Sequence, residues 1–498
     1  MRRLSLDTLP ALAPEMRPRV DPGSLPVGIV HLGIGAFHRA HQAVFTEDAV
    51  AAAGGPWGIC GVTQRGPSVV EQLSPQDGLY TVAARSGGGE SLRVVGAVRE
   101  LRWAQADPEG LSDRIAAPST HVITLTVTEK GYHHDPATGR LRLQDADISA
   151  DLADHGSRTV IGQLAAGLER RRRRTGAPVT VVSCDNLPSN GRLLSGLVGE
   201  FAAHLDGGDA LLSWIEDHVR FPSTMVDRIV PATRAGDRER VAAALHLADE
   251  GVVVTEPFAQ WVIEDDFAAP RPAWERAGAI LTADAAPYEQ IKLRLLNGSH
   301  STIAYLGALA GYELIADAVA PGTPFAPLIR GLMADDVAPT LRVPAGFDLA
   351  AYQDQVVERF ANPALRYRTL QVASDGSQKL PQRLLATALD RRRTGALPGL
   401  AALAVAAWMH FVSVRRTDDG HELPVDDPLA DAIARQLGDR SAPADVVDRL
   451  LALDEIFTPE LATDRVWRDL LVERLTMLAR DGAAETALRL SRQAGARP

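Results

Sequence analysis

The apolar positions change their spacing once along the chain, and that change divides it. In the first part they cluster in short runs: "VGIVHL" (27–32), "WGICGV" (57–62), "HVITLTV" (121–127) and "PVTVVSC" (178–184). Runs this short, rich in β-branched residues and bounded by glycine and proline, predict buried strands. Between them apolar residues recur at helical spacing, as in Ile161, Leu164, Ala165 and Leu168. Strands alternating with helices predict a doubly wound parallel sheet, and "GVVVTEPFAQWVIED" (251–265) adds further strands to the same domain. Past residue 285 the strand-like runs all but stop. The stretches 288–312, 324–335, 349–361, 379–390, 397–413, 427–437, 443–454 and 464–493 carry a helical period. The reading is an α/β domain over 1–285 and a mostly α-helical domain over 286–498, without repeats or a low-complexity linker.

Composition narrows the function. A net charge of −11 over 498 residues argues against nucleic-acid or membrane-surface binding. The run "RRRRR" (170–174) ends a helical pattern and reads as a solvated, cationic last turn. Two cysteines, Cys60 and Cys184, sit in apolar runs as small core residues and supply no zinc site. The chain shows no membrane span and no apolar leader, so a cytoplasmic location is expected. A monomer or small homo-oligomer acting on a small molecule fits these bounds.

The turn "GIGAFHRAHQ" follows the first strand and opens a helix. Gly33 and Gly35 let the backbone approach a pyrophosphate, and the helix start supplies donors. His38 stands where a third glycine is usual, so a tight structural turn also accounts for the motif. After the second strand, "GVTQRG" offers Gln64 and Arg65 in place of the acidic residue that holds a ribose, which leaves NAD against NADP open.

Lysine is rare: only Lys130, Lys292 and Lys379 among 52 basic residues. In a chain that has drifted to arginine, a retained lysine either marks a place that needs an amine, because arginine cannot give up its proton, or survives by chance. Asparagine is nearly as rare, with four in all. "KLRLLNGSH" places Lys292, Asn297 and His300 together. At about 100° per residue Asn297 falls about 140° from Lys292, with His300 between at about 80°. An amine, an amide and an imidazole on one face suit alcohol oxidation: base, alkoxide donor and orienting group. "SCDNLPSNG" (183–191) lies at the carboxyl edge of a strand, where Asp185 and Asn186 read equally as site residues or as a turn. "VTEKGY" (127–132) ends another strand with Glu129 and Lys130.

Taken in order, "GIGAFHRAHQA", "LTVTEKGY", "SCDN", "FPSTMVDRIVP", "EPFAQWVIEDDF", "KLRLLNGSH" and "DGSQKLPQR" resemble the mannitol dehydrogenase family, the polyol-specific long-chain dehydrogenases, over nearly the whole chain. The resemblance implies a Rossmann-type domain, a helical second domain and zinc-independent, NAD-linked oxidoreduction. It makes Lys292 the general base, Asn186 and Asn297 the oxyanion donors, and His300 a ligand of a substrate hydroxyl. Asp227 and Lys379 become substrate contacts. Glu129 lies near the base, and the cofactor phosphates lie against Gly33, Ile34, Gly35, Ala36 and Phe37.

Gln371 stands four residues before the aspartate of "DGS", where mannitol 2-dehydrogenases carry arginine. With its flanking sequence this resembles the fructuronate reductase branch of the family. Arg366 and Arg368 are close by in sequence; either they meet a substrate carboxylate or they face solvent. The expected couple is D-mannonate/D-fructuronate. Mannitol/fructose and arabinitol/xylulose are the alternatives, and a non-catalytic NAD-binding sugar sensor is the remote one.

Overall fold

The computed structural model describes residues 1–136, 138–154, 158–439 and 442–495. The chain divides into two compact bodies, Met1–Ala286 and Pro287–Pro498.

The first body is built on six parallel strands: β1 (Val27–Leu32), β2 (Gly58–Thr63), β5 (Val98–Trp103), β6 (Val122–Leu125), β7 (Val179–Ser183) and β8 (Val219–Arg220). Their order is β5-β2-β1-β6-β7-β8. Chain order thus reverses between β1 and β6, the crevice where open α/β sheets bind nucleotides. Both faces are covered. Val30 and Leu32 pack with Leu164, Leu168 and Phe201, while Ile29 packs with Ala43, Trp261 and Trp274. Strands buried on two sides read as unbroken apolar runs, which is why β1, β6 and β7 stand out in the sequence.

Two three-stranded sheets complete this body. β3 (Tyr80–Ser86) pairs antiparallel with β4 (Gly89–Val95) and parallel with β10 (Val253–Thr255). β11 (Gln260–Glu264) pairs antiparallel with β9 (Thr224–Asp227) and parallel with β12 (Ile280–Thr282). The expected run 251–265 therefore supplies strands to two small sheets.

The arginine run departs from expectation. Arg170, Arg172, Arg173 and Arg174 pair with Glu109, Asp113 and Glu169 on the surface. Arg171, however, is buried and donates to the carbonyls of Ile115, Ala117, Ala177 and Pro178 at 2.7–2.9 Å. Its guanidinium satisfies four main-chain carbonyls at once, and burial brings its pKa down to about 10.

The second body contains no strand beyond isolated bridges among the described residues. Its central helix, Gly298–Leu309, is buried along its length except at His300. Gly399–Val414 packs beside it, its first turn capped by Asp336, which accepts from the amides of Leu400 and Ala401 at 2.8 Å. Three helical stretches loosen to π geometry: Lys292–Asn297, Leu332–Val337 and Pro381–Leu385. The first packs against the other two. Pro381 gives the third a cause, since a proline inside a helix removes one i to i−4 bond.

Candidate active site

In the first body the turn after β1 is built by Gly33. Its φ of +100° suits only glycine, and a Cβ there would lie 2.2 Å from the Thr126 carbonyl oxygen. The amides of Gly33 and Ile34 both donate to the Val62 carbonyl, at 2.8 and 3.0 Å, and Gly35 donates back to Gly33. The Ile34 side chain points into the core over Gly61. Among the described residues no group accepts from the amides of Ala36, Phe37 or His38, the open first turn of the helix. A Cβ on Gly35 would meet nothing nearer than 3.8 Å. An exposed backbone with free donors and room above it fits a pyrophosphate.

Beneath this turn lies a layer of imidazoles. His31 contacts Thr124 Oγ1 at 2.7 Å, Thr126 Oγ1 at 2.9 Å and the Gly33 carbonyl at 3.2 Å. Burial takes its pKa down to about 3, against a smaller opposing effect of the Gly33 carbonyl. His38 stacks on it with centroids 3.3 Å apart and is also driven well down by burial. Both rings are therefore neutral, and they support the turn without adding charge.

After β2, Gln64 exchanges two hydrogen bonds with Gln163 and is not available to a ligand. Arg65 is exposed and makes no ion pair among the described residues.

The loops after β6 and β7 are joined by Asp185. Its buried carboxylate accepts from the amides of Val127 (3.0 Å) and Thr128 (2.8 Å) and from the Tyr132 hydroxyl (2.8 Å). Thr128 has a φ of +68°, costly for a β-branched residue, and these bonds hold it there. Burial raises the Asp185 pKa, and the three donors work against that rise. Asp185 is thus a scaffold. Its neighbour Asn186 is exposed at the carboxyl end of β7, and Glu129 is exposed on the turn after β6. Asn190, to which the sequence reading gave no role, ties β7 to β9 by donating to the Asp185 and Thr224 carbonyls at 2.9 and 3.0 Å. Asparagine scarcity already marked it. Asp227 is buried at the end of β9, opposite Gln260.

In the second body Lys292 is 8% exposed at the start of the first π segment. The regular angles expected for "KLRLLNGSH" do not apply there. The Gly298 amide reaches back five residues to the Leu293 carbonyl, so the turn is wider and residues five apart draw closer to one face. Lys292 and Asn297 are five apart. Arg294 leaves by another face, 2.7 Å from Asp390. His300 stacks on Phe360 at 5.0 Å and leans on Tyr367 at 5.2 Å. Burial, then Arg383, Arg359 and Lys379, bring its pKa down to about 3, so it works as a neutral imidazole. Gly298 is required by close packing: its Cβ would stand 2.8 Å from the Arg383 carbonyl oxygen.

Lys379 donates to the Ser374 carbonyl at 2.6 Å and lies 3.7 Å from Asp375. Burial lowers its pKa, with Arg383 adding to the effect. Gly376 of "DGS" fits where a Cβ would strike the Tyr305 hydroxyl at 2.4 Å. Arg368 lies on the surface, 2.6 Å from Glu313, with both side chains more than half exposed. Arg366 is exposed as well.

Two family models match in series, the mannitol dehydrogenase Rossmann domain over residues 27–276 and the mannitol dehydrogenase C-terminal domain over 284–477. The chain belongs to the mannitol dehydrogenase family. As a member it is a dehydrogenase with a Rossmann-type first domain and a helix-rich second one. Among relatives in the family, the uncharacterized oxidoreductase YeiQ of Escherichia coli (strain K12) is 43% identical over 91% of this chain and 94% of its own. The D-mannonate oxidoreductase of the same organism is 40% identical over 95% and 97%. The structure of Pseudomonas fluorescens mannitol 2-dehydrogenase, a ternary complex with NAD and D-mannitol, matches with a TM-score of 0.85 at 35% identity, covering 99% of this chain and all of that one. None of the described helices is long and apolar enough to cross a membrane.

Proposed function

We propose that this dehydrogenase interconverts a secondary alcohol of a hexonate and the matching ketone, with D-mannonate and D-fructuronate as the couple. The cofactor is NAD, which when bound supplies the acceptor and donor of hydride. The observation that carries the reading is Lys292, buried on a π segment beside Asn297 and the neutral His300. The likeness to a D-mannonate oxidoreductase supports the hexonate.

In the oxidative direction the Lys292 amine takes the hydroxyl proton, and the Asn297 amide donates to the oxygen as negative charge develops there. Because its basicity is lowered, His300 hydrogen-bonds a substrate hydroxyl without competing for the proton. In this reading the base is an amine, and no metal ion is required. Gly33 to Phe37 hold the cofactor phosphates, and Arg65, after β2, lies toward the adenosine end of the cofactor; Asn186, Asp227 and Glu129 take the roles that the family pattern gives them. The enzyme works in the cytoplasm on a small substrate.

The test is a panel of purified-enzyme rates with NAD and D-mannonate, D-mannitol or D-arabinitol, and with NADP in place of NAD. The reading expects D-mannonate to have the highest kcat/KM, and NAD to be preferred. D-Mannitol is the second reading, favoured by the mannitol 2-dehydrogenase structure. A preference for D-mannitol over D-mannonate would establish it and remove the first.

A further inference from the structure

The sequence offered Arg366 and Arg368 as readers of a substrate carboxylate. The structure commits Arg368 to Glu313 on the surface and leaves Arg366 in solvent. A different arginine has the surroundings such a role requires. Arg383 sits in the π segment Pro381–Leu385, and its Nη1 donates to Ser301 Oγ at 3.0 Å. Ser301 follows His300 in the chain, and the Arg383 charge acts on that imidazole.

That hydroxyl is the one side-chain partner of Arg383 among the described residues. Two other enclosed arginines of this body have carboxylates: Arg294 has Asp390 at 2.7 Å, and Arg392 has Asp464 at 2.8 Å. Arg383 has none, although its pKa is pushed down to about 10 by burial, which still leaves it charged at neutral pH. Its neighbours add positive charge. Lys379 precedes it by one helical turn, and both Arg383 and Arg359 act on His300. Nearby acids are spoken for. Asp427 accepts from the Ser377 amide and hydroxyl at 2.8 and 2.5 Å and from the Leu429 amide at 2.9 Å. Asp375 faces Lys379.

A half-buried guanidinium with one neutral partner keeps most of its five donors for something else. The planar fork matches two carboxylate oxygens, which would also offset the gathered positive charge. We infer that Arg383, held by Ser301 beside His300, binds the carboxylate of the substrate and makes this enzyme selective for sugar acids over neutral polyols. The inference rests on the hexonate reading above and names the residue that would produce it.

The experiment compares kcat/KM for D-mannonate and D-mannitol in the wild type and in Arg383→Gln, Arg383→Lys and Ser301→Ala. Thermal unfolding and NADH titration serve as controls that each variant is folded. Arg383→Gln should lower the mannonate-to-mannitol selectivity by at least about 30-fold, mostly through KM for mannonate. Arg383→Lys keeps the charge without the fork and should fall between. Ser301→Ala, which only loosens the guanidinium, should lower the ratio by about threefold to tenfold. If the wild type prefers D-mannonate but Arg383→Gln leaves the ratio within threefold, Arg383 is not the reader and the substrate assignment survives. If the wild type does not act on D-mannonate, the hexonate reading and this inference fall together. If Arg383→Gln does not fold, Ser301→Ala and Arg383→Lys decide: an unmoved ratio in both overturns the proposal.

Discussion

The two bodies prepare for chemistry in opposite ways. In Met1–Ala286 the nucleotide turn presents main chain: open amides at Ala36 to His38, glycines where a side chain would collide, and neutral imidazoles underneath. In Pro287–Pro498 the candidate catalytic groups are side chains, carried on helices loosened to π geometry at three adjoining places. A turn that binds through backbone is specified by what must be absent, a Cβ. A centre that works through side chains is specified by what must be present, an amine, an amide and an imidazole. Substitutions should therefore fail differently in the two bodies, by strain and lost fit in the first and by lost chemistry in the second.

The largest effect is expected in the second body. Lys292→Ala removes the proposed base and should lower turnover by about 10² to 10⁴, read as single-turnover NADH formation. A variant that keeps a tenth of wild-type turnover ends the assignment.

Next is Gly33→Ala in the first body. The new Cβ meets the Thr126 carbonyl in a left-handed conformation, so the protein should lose about 2–4 kcal/mol of stability from strain and overpacking. Denaturant unfolding measures the loss, and NADH affinity should fall with it. Normal stability together with normal NADH affinity would mean that the turn is not set by the missing side chain.

The next effect is read against pH and concerns one neutral histidine in each body. His31 and His300 both have pKa values brought from 6.5 down to about 3. The stability tied to keeping each neutral is complete above pH 6.5 and is lost as pH falls toward about 3, at up to about 1.4 kcal/mol per pH unit for each ring. His31→Asn should remove one ring's share of that slope from unfolding free energies measured between pH 4 and 6.5. A slope unchanged by the substitution would contradict a neutral His31.

The smallest expected effect is that of Arg368→Ala. Exposed ion pairs such as Arg368–Glu313 contribute about 0–1 kcal/mol, so stability and D-mannonate kinetics should barely move. A 30-fold rise in KM for D-mannonate would return the carboxylate contact to Arg368.

Legibility in the sequence follows the same division. β1, β6 and β7 were readable because both faces of the sheet are buried and the runs are unbroken. β5 was not, because "VRELRW" mixes apolar and charged residues without a clean period at a sheet edge. The single helical stretch read over 464–493 is broken by Gly482, whose φ is +78°. In the site, residue scarcity pointed to Lys292 and Asn297, and it would have pointed to Asn190. The π segments were invisible, because a 3.6-residue period assumes the regular helix that they abandon. Arg171 and Arg383 were hidden for a further reason. Among 52 basic residues, nothing in composition separates an arginine buried against carbonyls or a hydroxyl from one in solvent. That takes three-dimensional neighbours.

We propose that the second body contributes an amine that gives and takes a proton, while the first holds the cofactor by its main chain. The most direct measurement is on Lys292→Arg, which keeps a long cationic side chain but cannot release its proton. NADH titration by fluorescence and steady-state turnover should be measured on the same preparation. For the proposed base we expect NADH binding within threefold of wild type and turnover lowered at least about 100-fold. Turnover within tenfold of wild type, with NADH bound normally, would contradict it.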